Sequence, residues 1–121
     1  MDGKRLFALR GATQCLNDAG DIQQCTTAMY DELLLRNRLN EDDLVSVIFS
    51  VTRDLDALNP ALALRREGRA GAASLFVSQE AHFPGSLERV VRVLIHCYLD
   101  KDAVPAHAYL NGAEALRPDR K

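Results

Sequence analysis

The stretch LERVVRVLIHCYL, beginning at Leu87, limits what this chain can fold into more than any other. Its length and apolar content suit a helix, but Val90, Val91, Val93 and Ile95 crowd it with β-branched side chains, which pack on a pleated sheet and lose freedom in a helix. The core of the stretch is therefore predicted as a strand. Strand alternation then sets Arg92, Leu94, His96 and Tyr98 on one face. An arginine between valines on a central strand must find a counter-charge or line a cavity, and Glu80 and Glu88 are the candidate structural partners.

The remaining segments supply a sheet for that strand. Leu44 to Val51 is β-rich and partly alternating, with Val45, Val47, Phe49 and Val51 on one face, and reads as a second central strand. Leu6 to Arg10, closed by Gly11-Ala12-Thr13, is a plausible first strand that delivers Arg10 at its end. Ser74 to Gln79 leads directly to Glu80, and Ala106 to Leu110 returns as a strand carrying Tyr109, after a turn at Pro105. Asp18 to Leu39 is predicted helical, capped by Asp18 or Asp21, with Ile22, Cys25, Met29, Leu33 and Arg36 recurring on one side. Gln24, Thr27, Asp31 and Arg38 fall on the opposite side. Asn59-Pro60 opens a short helix through Arg66, with the cap followed by proline at the first helical position; Gly68 and Gly71 suggest a mobile connection after it. The order β, α, β, α, β, β, β implies an α/β or α+β fold, a mixed sheet with helices on one side.

At 121 residues the chain is expected to form one domain over 1–121. Fifteen Lys and Arg against 17 Asp and Glu disfavour a polybasic nucleic-acid binder, and 47% hydrophobic residues disfavour disorder. No apolar run approaches the roughly 18 residues of a membrane span, and the start is too short in apolar residues for a signal peptide. A cytoplasmic protein is expected, with no membrane or nucleic-acid partner.

Chemistry that needs a nucleophile, metal or cofactor finds little to use. Cys15, Cys25 and Cys97 form no CxxC and are expected as reduced thiols. His82, His96 and His107 lack the i, i+4 spacing of helical metal ligands, so no metal site is expected. His96 and Cys97 fall on opposite faces of a strand, which disfavours a local Cys–His dyad. There is no GxGxxG, GxxxxGK[ST] or GxSxG.

Several blocks nevertheless match a known pattern: RGAT at 10–13, SVTRDLDALNPA at 50–61, QE at 79–80, RVVRVL at 89–94, AYL at 108–110 and ALRPD at 115–119. In order and spacing over nearly the whole chain they resemble the small monofunctional chorismate mutases of the AroH class. The resemblance implies a cofactor-free isomerase of aromatic amino acid biosynthesis that rearranges chorismate, a dicarboxylate, to prephenate. It also implies a homotrimer with a pseudo-α/β-barrel core and active sites between subunits. On this match Arg92 faces the ether oxygen and a carboxylate, Arg10 holds a carboxylate, and Glu80 accepts a hydrogen bond from the ring hydroxyl. Tyr109 donates to the side-chain carboxylate, while Arg65 or Arg66, with Leu116 and Arg117, close the site as a lid. Taken singly, Arg10, Arg65 and Arg117 read as surface charges and Glu80 as half of an exposed ion pair; their joint placement carries the resemblance.

The chain also departs from the family pattern where substrate is expected. Asn59 stands where an aromatic residue is usual, Leu62 where a lysine is often seen, and Val77, preceded by Phe76, in place of a cysteine that helps bind the ring hydroxyl. These departures leave two alternatives to a mutase of chorismate itself. One is a pericyclic enzyme of specialised metabolism acting on a modified chorismate-like substrate, and the other a non-catalytic trimeric anion-binding homologue.

Overall fold

A computed structural model describes residues 3–116. Five strands form one sheet: β1 (Lys4–Gln14), β2 (Leu44–Val51), β3 (Ser74–Gln79), β4 (Val90–Asp100) and β5 (Ala108–Leu110), in the order β3-β2-β4-β1-β5. Two helices, α1 (Ala19–Asn37) and α2 (Pro60–Arg66), and 3-10 turns at Glu41–Asp43 and Ala113–Leu116 complete the described chain. β4 is central and antiparallel to both β1 and β2, while β2–β3 and β1–β5 are parallel pairs.

The β-branched stretch is the strand its composition predicts. Val91, Val93, Ile95, Cys97 and Leu99 point into the main core together with Ile22, Met29, Tyr30 and Leu33 of α1 and Leu64 of α2, so both helices cover one face. The other parity, Arg92, Leu94, His96 and Tyr98, is half-buried on the face without helices. At one end of that face Val90, Ala12, Tyr109 and Ala113 form a second, small apolar cluster.

Several expectations need correction. β1 does not stop at Arg10: it runs to Gln14 because the eleven-residue β4 pairs with its whole length, from Lys4 opposite Asp100 to Gln14 opposite Val90. Arg10 is therefore mid-strand, opposite Leu94. Gly11 makes this continuation possible, since a Cβ there would lie 2.9 Å from Leu33 Cδ1 and 3.1 Å from Val93 Cγ1. In β2 the register shifts between Leu44 and Ser46, a bulge that leaves Val45 45% exposed and turns Leu44 toward the core instead. The last strand begins at Ala108 rather than Ala106, because the Asn37 side chain has already taken both the N–H and the C=O of Ala106.

Along α1, Asp18 is the cap, accepting from the Asp21 N–H at 3.0 Å, and the helix ends at Asn37 with Arg38 in the left-handed region. Thr26 and Tyr30 are buried on its inner stripe, whereas Cys25 is half-buried and Arg36 exposed. Arg36 instead pairs with Glu32 at 2.7 Å and donates to the His107 carbonyl at 2.7 Å. Tyr30 is compatible with the core because its hydroxyl donates to Glu41, and burial with that carboxylate pushes the phenol well above its ordinary range. The connection after α2, expected to be mobile, is anchored: Glu41 accepts from the Ala70 N–H at 2.6 Å, and Arg69 grips Asp31 through two hydrogen bonds.

Gly11→Ala should overpack this contact and lower unfolding free energy by about 1–3 kcal/mol in a urea titration. Asn59 caps α2, its Oδ1 accepting from the N–H groups of Ala61 and Leu62 at 2.8 and 3.4 Å. Asn59→Ala should therefore cost about 1 kcal/mol in the same titration, and Asn59→Asp much less.

Candidate active site

The face without helices holds a cavity of about 330 Å³ centred on the strand arginines. Arg92 of β4, Arg10 of β1, Tyr109 of β5, Ser50 and Ile48 of β2, and Leu116 line it. Strand alternation explains the convergence: Arg92 lies across from Ser50 on one side and Ala12 on the other, and Ala12 is in turn beside Tyr109.

Glu80 reaches Arg92 from the exit of β3, where its N–H prolongs the sheet by donating to the Val51 carbonyl at 2.9 Å. Arg92 Nε donates to Glu80 Oε1 at 3.0 Å and to Oε2 at 3.3 Å, and Ser50 Oγ donates to Oε1 at 3.1 Å. Among the described residues the two terminal amino groups of Arg92 make no hydrogen bond. Of the two acidic partners named for Arg92, Glu80 is thus the one it takes. The side chains are 39% and 19% exposed, so the pair is only partly desolvated and worth about 1 kcal/mol or less. Such a pair orients a guanidinium without consuming it.

Sequence reasoning missed the group that fixes where β4 begins. The Asp54 carboxylate accepts from the Arg89 N–H at 3.1 Å to each oxygen and from Thr52 Oγ1 at 2.5 Å. Thr52 Oγ1 in turn accepts from the Val90 N–H at 3.0 Å. This clamp holds Arg89 at a φ of 53°, in the left-handed region, immediately before the strand that carries Arg92. Ser50 was missed as well. Both it and the clamp residues lie inside the SVTRD block, but hydrogen bonds between segments so far apart leave no periodic signal in a sequence.

The other site candidates lie elsewhere on the chain. Val77 sits on β3, beside Phe49 and packed against the main core on the helix-covered face, while Phe76 on the opposite parity is 63% exposed. Asn59 spends its side-chain oxygen on the α2 cap, and Arg65 and Arg66 are exposed in the last turn of that helix. None of these five lines the Arg92 cavity; β3 is at the opposite sheet edge from β5. Leu116 lines the cavity, and Arg117 lies outside the described residues.

Cys97 is not placed for catalysis. It is buried on the core face, where burial pushes its thiol up to about 11, while His96 points the other way and shares a 2.8 Å hydrogen bond with Ser46. Among the described residues no helix is long and apolar enough to cross a membrane.

Comparison with known proteins identifies the family. The pattern of the family described as chorismate mutase type I matches residues 6–120. The chain is 38% identical over 115 residues to chorismate mutase AroH of Thermus thermophilus, covering 92% of this chain and 93% of that one. It is 31% identical over 114 residues to chorismate mutase AroH of Bacillus subtilis (strain 168), covering 92% and 89%. A solved chorismate mutase from Clostridium thermocellum superposes with a TM-score of 0.82 at 41% identity, over 90% of this chain and 98% of that one. With a sheet that turns two arginines and a tyrosine toward one cavity and pairs one of those arginines with a glutamate, and with matches of this extent, the chain belongs to the type I chorismate mutase family.

Proposed function

We propose that this chorismate mutase converts chorismate to prephenate with Arg92 as its principal electrostatic group. The reaction breaks a C–O bond as a C–C bond forms within one molecule, and it transfers no proton and needs no cofactor. A catalyst has two tasks: to hold a flexible dianion in its folded, chair-like conformer, and to place positive charge beside the ether oxygen as that oxygen becomes anionic. The observation that carries the assignment is the division of labour at Arg92. Glu80 fixes the guanidinium at Nε, and among the described residues the terminal amino groups have no partner beside the cavity that Arg92 lines with Arg10 and Tyr109.

In this reading Arg92 donates to the ether oxygen and one carboxylate, Arg10 to a carboxylate, and Tyr109 to the carboxylate of the side chain. Glu80 accepts from the ring hydroxyl and balances the two arginines. Leu116 and Arg117, with Arg65 or Arg66, close the site. An acceleration of even ~10⁶ needs about 8 kcal/mol, and one preorganised donor supplies about 3–4 of it, so no single arginine suffices.

The disposition of the two sheet edges supports the assembly that the family resemblance implies. Arg10, Arg92 and Tyr109 gather toward the β5 edge, whereas Val77 lies on the β3 edge and Asn59, Arg65 and Arg66 on the helix beside it. A site that uses both sets brings the β3 edge of one copy to the cavity of the next, and the likeness to the family implies that three copies close such a ring, a homotrimer with inter-subunit sites. One domain over 1–121 and a cytoplasmic location complete the reading. Val77 offers no donor or acceptor for the ring hydroxyl, which favours a modified chorismate-like molecule as the second reading of the substrate.

Turnover, followed as loss of the chorismate diene absorbance with appearance of prephenate, tests the assignment; binding without turnover would leave the non-catalytic alternative. Arg92→Ala should lower kcat/KM by ~10³ or more with folding intact, and Arg92→Lys should recover little, since a point charge lacks the planar fork. A lysine variant nearly as active as the parent refutes the geometric part. Sedimentation at micromolar concentration should give a trimer, and a monomer would remove the second wall of the site.

A further inference from the structure

Cys15 and Cys25 meet at the junction between β1 and α1, in a surface cleft of about 240 Å³ that Asp21, Arg89 and Asn111 also line. Both cysteines border this cleft; Cys15 is 4% exposed and Cys25 half-buried. Cys25 Sγ donates to Asp21 Oδ2 at 3.8 Å. Asn111 Nδ2 donates to Cys25 Sγ at 3.8 Å and to Thr13 Oγ1 at 2.9 Å, which ties the thiol pair to the turn after β5. Asn111 and Gly112 both have positive φ, 54° and 101°, and link Tyr109 to Leu116, two residues of the cavity wall. No step of the rearrangement uses either thiol.

We propose that Cys15 and Cys25 are a modification site that closes into a reversible intrachain disulfide by exchange with low-molecular-weight disulfides, and that closure loosens the Asn111 turn and so slows the mutase. The Cys25 thiolate, the more accessible, attacks one sulfur of the small disulfide; that S–S bond breaks, a mixed disulfide forms, and one small thiolate leaves. The Cys15 thiolate then attacks the Cys25 sulfur, forming the internal bond and expelling the second small thiolate. The two protons lost by the protein end on the two released thiols. The protein is oxidised by two electrons and the small disulfide reduced by two.

Asp21 sets how readily this happens. Burial, then the neighbouring Cys25 and Asp21, push the Cys15 thiol up to about 12, with Arg89 opposing; burial and then Asp21 also raise Cys25. Little thiolate is present near neutrality, so exchange is slow, and the second thiol of the same cleft is the partner at hand. The Asn111 hydrogen bond joins the pair to the cavity: once the Cys25 sulfur turns to Cys15, Asn111 keeps only Thr13.

The probe is oxidised glutathione, incubated with the full chain at mildly alkaline pH and read by intact mass and peptide mapping. The expected product has lost two hydrogens and links the Cys15 and Cys25 peptides. It forms equally in Cys97→Ser, is absent in Cys15→Ser and Cys25→Ser, and appears several-fold faster in Asp21→Asn, whose side-chain carbonyl can still accept from the Leu16 N–H. A lasting glutathione adduct on Cys25, a link to Cys97, or no reaction overturns the site. The kinetic arm rests on Tyr109 and Leu116 facing substrate. There the oxidised protein should lose several-fold in kcat for chorismate and regain it with dithiothreitol. Unchanged turnover in a protein shown by mass to be cross-linked overturns the coupling alone, and inactivity of the reduced parent would count against the mutase reading and not against the disulfide.

Discussion

The ion pair between Arg92 and Glu80 is the constraint around which the other parts are arranged. A guanidinium on the middle strand of a sheet cannot be left dry and unpaired, because an isolated buried charge costs far more than a domain's net stability can absorb. Here the desolvation is partial and the counter-charge arrives along the fold itself. β3 runs parallel to β2, and its exit places Glu80 at the end of β2 through a backbone hydrogen bond to Val51. Ser50, directly across from Arg92, then holds one carboxylate oxygen. Neutralisation, orientation and access to the cavity thus come from one arrangement.

Alternation along β4 separates packing from chemistry at single-residue resolution. Val91, Val93 and Ile95 are buried beneath the helices, while Arg92 and Leu94 between them face the cavity. A change on the first parity is felt as lost burial, and one on the second as altered charge or shape toward the ligand. The Asp54 clamp connects the two sets, because it fixes the register from which both parities are counted.

Where side-chain periodicity governs an element, the sequence was readable. The valine-rich stretch gave β4, the helical stripe gave α1, and Asn59-Pro60 gave α2 with its cap. The misreadings fall where a distant partner overrides the local pattern. Val45 is displaced by a bulge, and β1 is lengthened by the strand beside it. The segment around Gly68 and Gly71 read as loose from its glycines, yet Asp31 and Glu41 hold it from other elements. At the site, spacing alone exposed the oddity of Arg92 and nothing more. Arg10, Glu80 and Tyr109 came from likeness to a family, since residues gathered from four strands share no local signature.

The short β5 bears on the energetics of occupancy. Three residues of parallel pairing hold it to β1, while side chains of α1 tie down only the approach to it, through Asn37 and Arg36. Fraying of such an edge breaks few bonds and leaves the central strands untouched, so amide hydrogens around Tyr109 should trade with solvent through small openings far below the global unfolding energy. A ligand clasped there has to still that breathing, and part of its intrinsic affinity is converted into order along one margin of the sheet.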